Sequence, residues 1–237
     1  MDWIKQKVGQ IVVNYPSAVE LFRRSNIDFY CQGGETLAGA LTAQSIDRDS
    51  FILALEAEIL RPAAMPDFQK WSLELQVDYV IKYHHHNIRH KGPQLLALVE
   101  SVTQKEAAKN PSLRAVYELF RESLDDLLQH LHKEDQILYP AIYRLARREQ
   151  TEMESCFPSI AMPIKVMMQE HEIEAEIFKQ ITQLTDHYQA PQEADSDYQM
   201  MLQSLASFER DLQEHIHLEN NLIFPKAIEV EKSFPLL

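Results

Sequence analysis

Glycine is scarce in this chain. Of 237 residues only 5 are glycine, and Gly9, Gly33, Gly34 and Gly39 all fall within the first 40. Beyond them only Gly92 remains, so a long stretch rich in Leu, Glu, Gln and Ala reads as helical. Cysteine is nearly absent too. Cys31 and Cys156 are too few for a disulfide framework, and a cytosolic, reducing location is expected. No apolar run approaches the roughly 20 residues that span a bilayer. The opening, Met1-Asp2-Trp3-Ile4-Lys5, lacks the apolar region of a secretory signal. Basic residues are outnumbered, 23 Lys and Arg against 36 Asp and Glu, for a net charge of −13. That balance argues against nucleic acid and against anionic membrane as partners. What is abundant is apolar residue, 45% of the chain, enough for a large core.

Residues 1–60 read as a small helical N-terminal domain. Pro16 breaks the chain before a helix start, with Ser17 as a candidate cap. Asp28 to Gly34 is a turn, and a short helix is expected from Ser50 to Leu60. Residues 61–69, with Pro62 and Pro66, read as a linker. Four long amphipathic stretches follow, near 70–106, 111–149, 159–188 and 195–230, with Pro111, Pro158 and Pro191 in the breaks. Short links between long helices favour antiparallel neighbours, so residues 70–232 are expected to form a four-helix bundle. Pro93 lies inside the first stretch, where it could kink the helix.

Within that region one segment occurs twice. His130-Leu131-His132-Lys133-Glu134 returns 85 residues later as His215-Ile216-His217-Leu218-Glu219, each just before an apolar-aromatic-Pro stop. His and Glu four apart share one helix face. Advancing each residue by about 100° sorts the ten histidines. One His per bundle helix falls on the apolar stripe: His84, His130, His171 and His215, joined by Glu134 and Glu219. His85, His86, His90, His132, His187 and His217 are expected on solvated faces. A buried histidine is most often simply hydrogen-bonded. Two buried glutamates are another matter, because Glu is almost never fully buried unless paired or metal-bound.

Four imidazoles and two carboxylates exceed the needs of one tetrahedral zinc. They suit two metals bridged by two carboxylates, with two His per ion and positions left for an oxo or hydroxo bridge and an outside ligand. Nitrogen and oxygen donors without thiolate suit iron or manganese, and geometry alone leaves zinc open. Ferritin-like bundles use Glu-x-x-His. The order here is His-x-x-x-Glu, which points towards hemerythrin.

At these residues the chain resembles a hemerythrin-like di-iron protein, and more specifically the Repair of Iron Centers family, bacterial iron–sulfur cluster repair proteins. The resemblance rests on Tyr83-His84, His130-x-x-x-Glu134, Glu170-His171 and His215-x-x-x-Glu219-Asn220-Asn221-x-x-Phe224-Pro225. In the N-terminal region it rests on Ala18-x-x-Leu21-Phe22-Arg23, Ile27-Asp28-Phe29-Tyr30-Cys31-x-Gly33-Gly34 and Thr36-Leu37. It implies an all-α, hemerythrin-like four-helix bundle whose two iron ions are held by His84, His130, Glu134, His171, His215 and Glu219, the two glutamates bridging. The family's turn usually carries adjacent cysteines. Here Tyr30 takes the first place and only Cys31 remains, so the turn offers one thiol; relatives also often carry a His where Asn87 stands.

The resemblance implies repair of iron–sulfur clusters damaged by oxidative or nitrosative stress, by supplying iron, with the damaged proteins as partners and Cys31 as an iron-transfer thiol. A nitric oxide reductase or peroxidase, and an O2- or NO-binding sensor or store, are the alternatives. A plain carrier would need only the bundle, so the N-terminal region favours repair. A homodimer is compatible with this reading.

Overall fold

The computed structural model describes residues 2–62, 66–148 and 157–233. Among these the chain is helical, with a lone β-bridge between Lys7 and Thr36. It divides into two compact units: residues 1–77 with 216–237, and residues 78–215. In this division the end of the chain groups with the N-terminal region. Cys156 lies outside the described residues.

The first unit contains α1 (Val8–Asn14), α2 (Val19–Arg24), α3 (Leu37–Ala43) and α4 (Arg48–Glu58). Helices this short are marginal alone and depend on packing. Their shared core includes Val8, Ile11, Phe22, Phe29, Leu37, Leu41, Phe51 and Leu55. Phe22 meets Phe29 and Phe51 edge-on, at ring separations of 6.3 and 5.6 Å. Thr36 caps α3 through the Gly39 amide at 3.2 Å, and Asp47 caps α4 through the Ser50 amide at 2.9 Å. Ser17 does not cap a helix; it sits inside a 3-10 turn, Pro16–Ala18, that leads into α2. Helices α1 and α3 were not expected, for they are too short to show a period.

Four long helical runs match the stretches expected from the sequence. The first joins α5 (Leu73–Tyr79) through a π turn, Val80–His85, to α6 (His86–Glu106). The second joins α7 (Ser112–Lys133) through a π turn, Glu134–Leu138, to α8 (Tyr139–Arg147). The third is α9 (Ala161–Leu184), unbroken. The fourth joins α10 (Ser196–Leu218) through a π turn, Glu219–Ile223, to α11 (Phe224–Lys232).

Within the second unit α7 packs on both α6 and α9. Phe120, Phe178 and Phe208 form its aromatic centre, with ring separations of 5.3 to 6.3 Å. Pro93 sits within α6 without ending it.

Pro140 and Pro225 do not stop their helices either. Each is in the first turn of the segment that follows a π turn. A proline lacks the N–H that would bond the carbonyl four residues back, and its ring pushes that carbonyl aside. The preceding turn is thus released from the α pattern, and at both Pro140 and Pro225 that turn is a π turn.

Candidate metal centre

Helix α7 delivers His130 to the bundle interior, and Glu134 follows at the start of the π turn. Both are buried, Glu134 completely. The Glu134 Oε2 lies 3.3 Å from Nε2 of His130, 3.4 Å from Nε2 of His85 and 4.0 Å from Nε2 of His215. The same Nε2 of His130 also faces Nε2 of His171 at 3.1 Å. Two groups of donors share this carboxylate. His85, Glu134 and His215 offer atoms within 4.8 Å of one another, and so do His130, Glu134 and His171. Glu219 stands one turn beyond His215 in the same unbroken helical run and is fully buried.

Two of the imidazoles are held from behind by carboxylates. Nδ1 of His85 lies 2.9 Å from Oδ1 of Asp135, whose other oxygen pairs with Arg89. Nδ1 of His130 lies 2.8 Å from Oε2 of Glu170, and Lys133 holds the second oxygen. The His130 bond is the main cause that brings the Glu170 carboxyl down to about 2, against the opposing effect of burial. Burial works against ionisation of Asp135 also, but the bonds from His85 and Arg89 prevail and hold its carboxyl below the usual range. An ionised carboxylate at Nδ1 keeps the ring proton there and turns the Nε2 lone pair towards the interior. Sequence reasoning did not assign these two roles. Asp135 is hidden beside the conspicuous Glu134, and Glu170 entered only as a motif neighbour of His171.

This arrangement fits a cation. With His130 protonated at Nδ1, its Nε2 lone pair faces another imidazole nitrogen at 3.1 Å and a carboxylate oxygen at 3.3 Å. Donors crowded in this way repel one another unless a proton or metal ion lies among them. Imidazole and carboxylate without thiolate is also the donor set of iron and manganese.

The first helix departs from the periodic reading. His84 and His85 are both completely buried, whereas a uniform 100° step puts His85 on a solvated face. The π turn Val80–His85 supplies the reason: its wider turn rotates the following side chains out of the α-helical phase. His85 joins Glu134 and His215. His84 instead stacks on His215 at a ring separation of 5.6 Å, with its Nε2 3.8 Å from Glu214.

His217 is the second correction, for it is buried and not solvated. Its ring lies edge-on to Phe29 at 5.3 Å, and burial lowers its pKa to about 4. His86, His90, His132 and His187 are exposed, as expected. A buried acid absent from the sequence reading is Glu174, one turn after His171. It accepts a 2.6 Å hydrogen bond from Ser123, and burial raises its pKa to about 7. Cys31 is half-buried in the turn of the first unit, its amide bonded to Oδ1 of Asp28 at 2.8 Å.

A helical bundle whose inward histidines surround a buried carboxylate defines a cation-binding protein of the hemerythrin class. Residues 76–227 match the hemerythrin HHE cation binding domain, and residues 4–59 match a domain of unknown function, ScdA_N. The chain is 31% identical over 231 residues to the iron–sulfur cluster repair protein YtfE of Yersinia pseudotuberculosis serotype IB, covering 98% of this chain and all of that protein. The YtfE protein of Yersinia pestis strain Pestoides F is similar to the same extent. The chain belongs to the Repair of Iron Centers family of hemerythrin-like proteins.

Proposed function

We propose that this protein binds two iron ions and restores iron–sulfur clusters damaged by oxidative or nitrosative stress, supplying iron to them in the cytoplasm. The observation that carries the reading is the extent of the likeness. Proteins named for iron–sulfur cluster repair match this chain from end to end, including the N-terminal region that a cation-binding bundle alone does not require.

His85 and His215 would hold one ion and His130 and His171 the other, with Glu134 between them. Glu219 would be the second bridge, a role supported by its burial and its place one turn beyond His215. Bound iron would supply a redox-active, exchangeable cation. The chain's own residues set the conditions. Asp135 and Glu170 fix the imidazole tautomers. Cys31 would take up iron leaving the bundle.

The test is reactivation of an iron–sulfur enzyme whose cluster has been damaged by nitric oxide. The iron-loaded protein should restore activity, and Cys31→Ser should keep its iron yet restore less. Nitric oxide consumption in steady turnover, without any reactivation, would favour the enzymatic alternative and overturn this reading.

A further inference from the structure

Three side chains on one face of the last helical run converge on the two residues before Cys31. Asn220 donates through Nδ2 to the Tyr30 carbonyl at 3.1 Å. Asn221 donates through Nδ2 to the Phe29 carbonyl at 3.1 Å and lies 3.4 Å from that of Tyr30. His217, four residues earlier on the same face, packs edge-on against Phe29 and lies 3.1 Å through Nδ1 from Nδ2 of Asn221. From within the turn, Oδ1 of Asp28 accepts the amides of Tyr30 at 3.1 Å and Cys31 at 2.8 Å. The backbone leading into the thiol is therefore fixed twice, once by its own turn and once by the helix.

The other end of Asn221 is seated just as closely. A Cβ added to Gly33 would stand 2.1 Å from Oδ1 of Asn221, and one added to Gly9 would stand 2.2 Å from it. Real Cβ atoms do not approach so near, so these two glycines form a cradle for one amide oxygen. The amide spans the turn that bears Cys31 and the helix that bears Glu219 two residues earlier. Such a fit serves no metal directly. What it does is make the placement of the Cys31 turn depend on the helix.

We propose that Asn221, assisted by Asn220 and His217, is a latch that holds the Cys31 turn against the last helix and so governs how readily the thiol reacts. The functional meaning of the latch rests on the reading of Cys31 as an iron-transfer thiol; the latch itself does not. It makes Asn221 a positioning residue, acting through the turn and not on iron.

The experiment is alkylation of Cys31 by a maleimide in the full-length, iron-loaded protein carrying Cys156→Ser, so that one thiol reports. Asn221→Ala should raise the labelling rate about fivefold or more, the size expected when a segment loses one or two hydrogen bonds. Gly33→Ala should do the same by expelling the amide. Combined with Asn221→Ala it should add less than it does alone, since the collision with the Asn221 amide is then gone and only the one with the Phe29 carbonyl, 2.9 Å from the added Cβ, remains. Iron content and its optical spectrum should be unchanged in Asn221→Ala. A parent-like labelling rate in that variant would overturn the proposal. So would additive effects of the two changes. If Asn221→Ala fails to fold, Asn220→Ala decides by the same rate, faster labelling upholding the latch and a parent-like rate overturning it. Faster labelling with undiminished cluster reactivation by Cys31→Ser upholds the latch while overturning the transfer role of the thiol.

Discussion

The carboxylate of Asp135 lies 2.9 Å behind the ring of His85, at the nitrogen opposite the one that faces Glu134. Neighbours in sequence, Glu134 and Asp135 thus act on the same imidazole from its two ends. Glu134 meets Nε2, and Asp135 keeps the proton on Nδ1. Loss of such a partner commonly costs about 10- to 100-fold in metal affinity. Asp135→Asn should therefore keep its iron in dilute buffer but surrender it to a competing chelator at correspondingly lower chelator concentration. Equal resistance of parent and variant in that competition would remove Asp135 from the support of the site.

The π turn in the first helix makes a sharp distinction between adjacent histidines. His85→Gln should lower the iron content from about two ions per chain towards one or none, whereas His84→Gln should stay close to two. Metal analysis of both variants, prepared with ample iron, checks this. Retention of iron by His85→Gln together with loss in His84→Gln would restore the phase of a regular helix.

Glu174 predicts a dependence on pH in the metal-free protein. Its folded-state pKa is raised from 4.5 to about 7, chiefly by burial, so ionisation is harder in the fold than in the unfolded chain. Stability is then unaffected at low pH and falls as pH rises from 4.5 through about 7. Glu174→Gln removes the ionisation and should be more stable than the parent at pH 8, by up to roughly 3 kcal/mol at 1.36 kcal/mol per pH unit. The advantage should vanish below pH 5. Urea denaturation at the two pH values gives the answer, and a constant difference between them would contradict the assignment.

Removal of iron should lower the melting temperature. The metal-free centre crowds four imidazoles around the buried carboxylate of Glu134, while binding to the folded state alone adds stability that grows with free metal. Melting curves at increasing ferrous concentration should shift steadily upward. Superimposable curves would place the bound iron elsewhere.

Much of this was legible in the residues. Glycine scarcity and four amphipathic stretches indicated the bundle, and the repeated His-x-x-x-Glu drew attention to His130, Glu134, His215 and Glu219. His85 was misassigned because helical phase was carried at a constant step through a turn that is not α-helical. His217 was misassigned for another reason: phase measured against the bundle stripe says nothing about the N-terminal residues that cover the opposite face. Phe29, which packs on His217, is 188 residues away in sequence. Asp135 and Glu170 were missed because an acid behind a histidine has no spacing signature. Their partners, His85 and Lys133 among them, meet them only after folding.

The π turns at Val80–His85, Glu134–Leu138 and Glu219–Ile223 have a consequence for how this chain can change over time. Each amounts to an extra residue let into a helix. Deleting one residue from such a turn would restore the α pattern, and everything after it would swing by about 100° about the helix axis relative to everything before. Composition, hydrophobicity and helix propensity would hardly alter, yet residues that now face Glu134 would face elsewhere. The breaks around Pro111 and Pro191 can gain or lose residues without rotating any donor against its neighbours. Within the Val80–His85 turn, chain length is itself a determinant of which histidine faces Glu134.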